Sequence, residues 1–380
     1  MKGVKKIYYL SVYSIKKYNY EDRYYPLSTA TKMEGIIQAL IDGGYEVEII
    51  SASPSHKNGG KSHYEQIQEG VQLKLFSSLG RKNTIIKICD RIWMLLQIII
   101  YFIREIKPTD SVIVYHSLLY LNVIQLLKKI LGFKMILEFE EMYSDVLGRK
   151  ELRKQENNLI KIADKYIFPS STMPEVLNVK DINRYIVIHG TYKAEADRNI
   201  NKDKNYIDIV YAGTLDLRKG SLEAIEAAYY LPSNYRVHIL GLGTETQIKE
   251  IKERIKIVNK KNNAKVFYEG VLYGEKYIQF LQYCDIGLCT QDPAASFNET
   301  SFPSKILSYM ANGLRVVSVM IPSIVDSKVS KYIYFCNNQT GKAIADCIKN
   351  IDINSEYDSR KYVDILFKQS VVELQRLIKE

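Results

Sequence analysis

The sequence predicts an α/β protein of two similar units, each an open parallel sheet covered by helices on both faces. Three observations carry this expectation. Strand-like and helix-like stretches alternate along almost the whole chain, the strand-like ones are continuously apolar, and one charged stretch breaks the rhythm before it restarts. The length of 380 residues fits two or three domains. With 46% apolar and 25% charged residues, and only 9 Pro and 20 Gly, the chain has an ordinary globular composition and can bury a sizeable core.

The first unit is expected to run from residue 1 to 192. Ile7 to Val12 reads as a strand, Met33 to Gly43 as a helix and Glu46 to Ala52 as a second strand. A loop rich in Ser, Gly and Lys (Ser53 to Ser62) precedes a strand at Val71 to Phe76 and a long helix from about Thr84 to Ile106. Ser111 to Tyr115 is an apolar run of strand length, Tyr120 to Leu131 a helix, and Lys134 to Phe139 another strand. The charged stretch Lys193 to Asn205 has the composition of an exposed linker.

The second unit, expected over 205–357, repeats the pattern. Its strands are read at Ile207 to Tyr211, Arg236 to Leu240, Lys265 to Tyr268, Ile286 to Cys289 and Arg315 to Val319. Helices fall between them at Ser221 to Tyr230, Glu245 to Val258, Gly274 to Tyr283 and Ser304 to Asn312. Residues 358–380 read as one or two amphipathic helices. In such two-unit proteins a ligand sits in the cleft, at the carboxyl ends of the strands.

Charge and cysteine content narrow the setting. The net charge is +10, from 53 basic and 43 acidic residues, which suits nucleic acid, an anionic membrane surface or a phosphate-bearing substrate without choosing among them. The 30 tyrosines supply amphipathic surface but name no function. The opening apolar stretch Ile7 to Leu10 is too short for a signal peptide. The longest apolar run, Ile92 to Ile103, would make a helix of about 18 Å against a hydrocarbon core of about 30 Å, so no span is expected. Five cysteines without secretory context fit reduced thiols in the cytosol, and Cys284 and Cys289 read as buried structural residues rather than metal ligands.

Two loops carry the chemistry. In Tyr211-Ala-Gly-Thr-Leu-Asp-Leu-Arg-Lys-Gly220, Gly213 permits a tight turn or a close ligand approach, and Arg218 and Lys219 stand just ahead of a helix start. Cations and free backbone N–H groups there can together hold a diphosphate; an ordinary loop with solvated basic residues is the alternative. In Asn298-Glu-Thr-Ser-Phe-Pro-Ser-Lys305, Pro303 fixes the approach to a helix, Ser304 can cap its first turn, Lys305 adds charge, and Gly313 ends the helix. Glu299, in the preceding loop, could accept hydrogen bonds from sugar hydroxyls.

Leu240-Gly-Leu-Gly-Thr-Glu245 follows a strand but has Thr246 at the third glycine position of a dinucleotide fingerprint, so it gives no support for NAD. In the first half, His116 follows one strand, open to a substrate contact or a plain strand end at the surface. Glu140 and Glu141 follow another, where at least one is expected to face the cleft. The chain has no Asp-x-Asp pair, no G-x4-G-K-[ST] phosphate loop and no G-x-S-x-G elbow, which disfavours a metal-held diphosphate, an ATPase and a serine hydrolase.

Gly213 to Gly220 and Phe302-Pro-Ser-Lys-Ile-Leu-Ser-Tyr-Met-Ala-Asn-Gly313 resemble the donor-binding elements of glycosyltransferase family four, specifically over about 205–320 and more loosely over 1–190. The resemblance implies a GT-B fold: two Rossmann-like domains facing a central cleft, acceptor on the first, nucleotide sugar on the second, and a C-terminal helix that packs back on the first. It implies transfer of a sugar from a nucleoside-diphosphate sugar, a UDP-sugar favoured, to a saccharide or lipid-linked acceptor, with retention and without cofactor or metal. Lys219 matches the family's phosphate-binding lysine. Thr214 stands where its partner arginine is usual, so Arg218 is the substitute.

The same resemblance places Gly241, Pro303, Ser304, Lys305 and Leu307 at the donor. Of the family's two glutamates, the second position holds Ser308 and the first falls at Thr300, with Glu299 one residue away. The family's N-terminal glycine-rich loop is replaced by Tyr25-Pro-Leu-Ser-Thr-Ala-Thr31, and its acceptor-side histidine by Glu140 or Glu141. The implied setting is assembly of bacterial capsule, exopolysaccharide or O-antigen in the cytoplasm, without nucleic acid. Basic and aromatic surface around Lys87 to Lys107 is open to an anionic membrane, or to a place in the core. A sugar-nucleotide epimerase and a non-catalytic sugar-nucleotide-binding subunit share the architecture and stay open as alternatives.

Overall fold

The computed structural model describes residues 5–25, 27–203, 205–261, 263–299 and 301–379; of residues 27–29, 145, 146, 296 and 299 it describes the backbone alone. The chain divides into two compact units. The first comprises Met1–Pro169, Met173–Thr191 and Lys368–Glu380, the second Ser170–Thr172 and Tyr192–Phe367.

The first unit holds β1 (Lys5–Ser11), β2 (Tyr45–Ser51), β3 (His63–Gln68), β4 (Val71–Leu75), β5 (Ser111–Tyr115), β6 (Lys134–Glu138), β7 (Lys165–Phe168) and β8 (Tyr185–Val187). They form one sheet in the order β3-β4-β2-β1-β5-β6-β7-β8. Every pairing is parallel except β3 with β4. All five residues of β5 are buried, the burial expected of a central strand with helices on both faces. The outermost β3 alternates between half-buried and exposed positions, as an edge strand does.

Helices α1 (Leu27–Asp42), α2 (Thr84–Glu105), α3 (Leu121–Leu131) and α4 (Arg153–Ile162) cover this sheet. Asn83 starts α2 by accepting from the Ile86 amide at 2.9 Å, and Gly132, at φ 69°, ends α3 in the left-handed conformation that glycine tolerates. Met94, Ile98 and Phe102 of α2 recur every fourth residue and pack with Ile124 and Leu127 of α3 onto Val112, Val114, Met135 and Leu137 of the sheet.

The second unit is a six-stranded, fully parallel sheet. Its strands are β9 (Ile207–Ala212), β10 (Tyr235–Leu240), β11 (Lys265–Gly270), β12 (Ile286–Cys289), β13 (Arg315–Val319) and β14 (Ile333–Cys336), in the order β11-β10-β9-β12-β13-β14. Helices α5 (Ser221–Ala227), α6 (Glu245–Val258), α7 (Glu275–Tyr283), α8 (Lys305–Ala311) and α9 (Gly341–Lys349) alternate with these strands. Thr244 begins α6 with a complete capping box with Gln247.

Within the charged stretch, residues 193–203 are not a free linker but lie along the second unit. Glu195 donates its amide to the Ala311 carbonyl at 2.8 Å, Arg198 pairs with Glu275, and Lys202 reaches Asp285 at 2.8 Å. The last helix, α10 (Ser359–Lys379), is continuous. Its start is tied within the second unit by the Ser359 hydroxyl donating to the Met310 carbonyl at 3.0 Å; its end is tied within the first by Gln375 donating to the Gly43 carbonyl at 2.7 Å. Among the described residues no helix is long and apolar enough to cross a membrane.

Candidate active site

In the second sheet the chain steps from β9 to β10 on one side, while β12 pairs with β9 on the other. Loops that leave opposite sides of such a junction open a crevice at the strands' carboxyl ends, the usual ligand position in open α/β sheets. Gly213 to Gly220 follows β9, and the segment from Thr290 follows β12. They touch: the Thr290 hydroxyl donates to the Gly220 carbonyl at 2.6 Å, and a Cβ on Gly220 would lie 1.8 Å from the Thr290 carbonyl oxygen. Gly220 also has φ 80°, so both space and backbone conformation require glycine there.

Gly213 and Gly241 are paired in the same way. The Gly213 amide donates to the Leu240 carbonyl at 3.0 Å, and a Cβ on Gly241 would stand 1.7 Å from the Gly213 carbonyl oxygen. The Gly-x-Gly after β10 therefore serves close packing of two loops, which explains a glycine pair without a dinucleotide fingerprint.

Lys305 opens α8, and Tyr309 follows one turn later on the same helix face. Tyr309 is fully buried: its hydroxyl accepts from the Ala212 amide, at the end of β9, at 2.8 Å. Its ring fills the space over Gly287, where a Cβ would come within 2.4 Å of it. That anchor sets Lys305 over the end of β9. Its Nζ lies 3.9 Å from the Tyr211 ring centroid and 3.1 Å from where a Cβ on Gly213 would be. The ammonium nitrogen is closed to solvent and has no hydrogen-bond partner among the described residues. Burial pushes its pKa down to about 8, and nearby Lys219 pushes the same way, against an opposing pull from Cys289.

Lys219 holds its ammonium 3.6 Å from the Phe297 ring centroid. Arg218 is already engaged: its guanidinium grips Asp216 at 3.1 and 2.7 Å, and that pairing holds the carboxylate below its usual range. Thr214 is exposed, and its carbonyl accepts from the Tyr211 hydroxyl at 2.9 Å. Pro303 accepts from the Ile306 amide at 3.1 Å. Ser304 does not cap α8 with its side chain as expected: its backbone is already helical (φ −56°, ψ −22°), outside the extended geometry a capping hydroxyl needs. Leu307 is buried, and the Ser308 hydroxyl stands 3.4 Å from the Tyr277 hydroxyl. Glu299 lies in a 3₁₀ turn, Ser296–Glu299, and its side chain is outside the described residues, as is all of Thr300.

The other candidates belong to the first unit. His116 follows β5, with its amide donating to the Glu138 carbonyl at 2.9 Å. It does not end the strand at the surface: it is 1% exposed, its ring stacked on Phe139 at 4.2 Å and tilted against Tyr143 at 4.9 Å. Burial drives its pKa down to about 3, against a smaller pull from the Glu141 backbone, so the ring is neutral. Glu156 approaches Nε2 at 3.4 Å, but its carboxylate is already taken by the Tyr143 and Ser144 amides at 2.8 and 3.1 Å.

Glu140 pairs with Lys32 of α1, and Glu141 is partly buried. Sequence reasoning missed Glu138, which is fully buried and receives a hydrogen bond from Tyr9 of β1. Its place in a continuously apolar strand was the available signal: a carboxylate at such a position has to be paired or protonated. Tyr211, Tyr309 and Phe297 were missed as well, because an aromatic residue in a strand, helix or loop reads as core. Among the described residues no group of three or more His, Cys, Asp and Glu side chains could hold a metal ion.

Residues 193–362, nearly all of the second unit, match the family model described as glycosyl transferases group 1. None of the curated proteins compared with the chain matches its sequence. Solved structures resemble it from end to end. Anabaena Alr3699/HepE in complex with UDP is 13% identical with a TM-score of 0.62, the alignment covering 98% of this chain and 99% of that one. A glycosyltransferase from Rickettsia africae ESF-5 is 15% identical with a TM-score of 0.62, covering 100% and 99%. An alpha,alpha-trehalose-phosphate synthase (UDP-forming) from Burkholderia xenovorans, in complex with glucose-6-phosphate, is 11% identical with a TM-score of 0.65, covering 98% of each. The two sheets, the first parallel but for its edge strand β3 and the second parallel throughout, are thus those of a GT-B-like fold with two Rossmann-like domains. The match to the group 1 glycosyltransferase model falls within that fold, and with it the protein is an enzyme that transfers glycosyl groups.

Proposed function

We propose that the enzyme takes a nucleoside-diphosphate sugar, with uridine the favoured base, and passes the sugar to a saccharide or lipid-linked saccharide during cytoplasmic assembly of a surface polysaccharide such as a capsule or exopolysaccharide. Transfer retains the anomeric configuration and needs no metal. One observation carries the donor assignment: Lys305 Nζ, shut from solvent and without a hydrogen-bond partner among the described residues, at the carboxyl end of β9 beside Gly213. A buried ammonium in that state is costly, and a phosphate oxygen would relieve it. The UDP bound by Anabaena HepE supports the choice of base.

In this reading the diphosphate rests against Gly213, Thr214 and Gly241, with Lys305 and Lys219 as its cations and Arg218 beside them. As the bond from the anomeric carbon to the diphosphate breaks, its electron pair stays on the diphosphate, and the two lysines stabilise the growing charge. The acceptor hydroxyl forms the new bond on the same face, and its proton passes to the leaving diphosphate. Pro303, Ser304, Leu307 and Ser308 line the donor, and Glu299 receives hydrogen bonds from the transferred sugar. Glu140 and Glu141 contact the acceptor, while His116 props the wall behind them.

Thermal stability with UDP, GDP, ADP and CDP, each with and without EDTA, tests this directly. A nucleotide at a hundred times its dissociation constant adds about 2.7 kcal/mol, an easily read shift. UDP should stabilise equally with and without EDTA, and Lys305→Ala should abolish the effect. Stabilisation that requires a divalent ion, or an unchanged shift in Lys305→Ala, would overturn the donor assignment.

A further inference from the structure

Two thiols of the second unit meet outside the donor loops. Cys336 ends β14 and is 1% exposed; Cys347 stands in α9 and is half-buried. Cys336 belongs to the core that α9 covers with Ile344, Ala345 and Ile348, and Cys347 packs against the same cluster. Both line one cavity of about 500 Å³ between β14 and α9, with Asn337, Thr340, Lys342 and Asp346 around them. Because β14 is the outermost strand of its sheet, the cavity lies at the sheet's edge and not in the crevice beside β9.

The segment between the two cysteines is fastened, which keeps the sulfurs within reach of each other. Asn338 accepts from the Thr340 amide and hydroxyl at 3.0 and 2.6 Å, and Thr340 caps α9 by accepting from the Ala343 amide at 3.3 Å. Gln339 donates to the Thr290 carbonyl at 2.9 Å. A Cβ on Gly341 would lie 2.7 Å from the Glu226 carbonyl carbon, so α9 sits close against α5. The pair is also asymmetric. A hydrogen bond with Cys347, helped by burial, holds the proton on Cys336, and the same bond lowers the pKa of Cys347. Cys347 is therefore both the more acidic thiol and the more accessible one, the two properties that make a cysteine react. Cys284 and Cys289 have neither: both are buried, and desolvation raises their pKa.

We propose that Cys336 and Cys347 form a redox site, reduced at rest and closed to an intrachain disulfide by hydroperoxides. The Cys347 sulfur attacks the outer peroxide oxygen, so that an S–O bond forms as the O–O bond breaks. The other oxygen leaves as water or an alcohol with the proton released by Cys347, which is now a sulfenic acid. The Cys336 sulfur then attacks Cys347: the S–S bond forms, the S–O bond breaks, and hydroxide leaves as water with the Cys336 proton. The two thiols have lost two electrons and two protons, and the peroxide has gained them. A dithiol reverses the step by exchange, as befits the transient disulfides of a reducing compartment. The site uses no donor-binding residue and stands if the donor assignment fails.

Full-length protein carrying Cys89→Ser, which removes the exposed thiol of the first unit, is treated with hydrogen peroxide, alkylated and digested without reductant. Trypsin cuts after Lys342, between the two cysteines, so a disulfide joins two peptides that mass spectrometry reads as one species two hydrogens lighter than their sum. That species should form at least about tenfold faster than any change at Cys284 or Cys289, and dithiothreitol should reverse it. Cys336→Ser should stop at a Cys347 sulfenic acid that dimedone traps, and Cys347→Ala should leave the Cys336 thiol intact. If the buried Cys336→Ser change prevents folding, the linked peptides and Cys347→Ala decide the matter alone. Three outcomes overturn the proposal: no linked peptides from the folded protein, a link that forms only in urea, or oxidation of Cys336 at the parent's rate in Cys347→Ala.

Discussion

The ammonium of Lys305 stands 3.9 Å from the ring centroid of Tyr211, at the end of the central strand of the second unit, with no hydrogen-bond partner among the described residues. Burial leaves its pKa near 8, below that of a lysine in the unfolded chain. A diphosphate binds the charged form, so UDP affinity should hold below pH 8 and fall above it, by about tenfold at pH 9. Titration calorimetry at pH 7 and pH 9 reads this, and proton uptake on binding at pH 8 should accompany it. Stability has the matching sign. The unfolded chain binds this proton more tightly, so the ammonium's penalty is full below pH 8 and fades as pH rises toward 10.5. Lys305→Met should therefore stabilise the protein at neutral pH, by on the order of 1–3 kcal/mol, while losing UDP.

Gly241→Ala tests the contact between the loops after β9 and β10. Its Cβ would stand 1.7 Å from the Gly213 carbonyl oxygen, a backbone atom held by the strand that precedes it. One of the two loops has to move, at a cost of about 1–3 kcal/mol, and a movement of the β9 loop displaces Gly213 from Lys305. Urea denaturation should show the loss, and UDP binding should weaken more than it does in a variant equally destabilised elsewhere, such as Ile348→Val.

Much of this arrangement was legible in the sequence where one signal dominated. Ser111–Tyr115, Ile286–Cys289 and Arg315–Val319 are buried on both faces, so their apolar runs fixed their bounds to the residue. His63–Gln68 was missed because an edge strand with half its residues in water needs no apolar run, and Lys165–Phe168 and Tyr185–Val187 because four and three residues are too few to show a period. The loops at Gly213 and Lys305 were legible as candidates because glycine after a strand and lysine at a helix start can together hold an anion, although an ordinary loop with solvated cations reads the same way. What local pattern does not encode is that Tyr309, reaching to Ala212, aims Lys305, or that Asp216 engages Arg218. Nor does the charged composition of residues 193–205 reveal Glu275 and Asp285, the acids that hold them down.

Glu138 offers a test of the first unit. Burial pushes its carboxyl up to about 8, with neighbouring Glu140 adding to the shift and Lys32 opposing it. The folded state therefore binds a proton that the unfolded chain releases near pH 4.5, so this group's contribution is full below that pH and is lost as pH rises through 8. Glu138→Gln keeps a polar group beside Tyr9 without the titration. Its thermal midpoint should match the parent at pH 4.5 and exceed it at pH 8.5, by the equivalent of on the order of 1–3 kcal/mol. Parallel pH profiles for the two proteins would show that Glu138 does not titrate as described.

Lys219 and Arg218 are adjacent in sequence but differ in what they can give a ligand. Arg218 is held in a two-bonded pair with Asp216, so Arg218→Ala removes a cation that is already neutralised and should weaken UDP by no more than about threefold. Lys219 rests on Phe297 and lies near enough to Lys305 to lower its pKa. Lys219→Ala should therefore act twice: UDP affinity falls by at least about tenfold at pH 7, and the falling limb of the affinity profile moves above pH 8 because Lys305 has lost a repelling neighbour. Affinity measured from pH 7 to pH 10 separates the two effects. A loss of affinity with the limb still at pH 8 would mean that Lys219 meets the ligand without influencing Lys305. A shift of the limb with unchanged affinity at pH 7 would mean that it tunes Lys305 without touching the diphosphate.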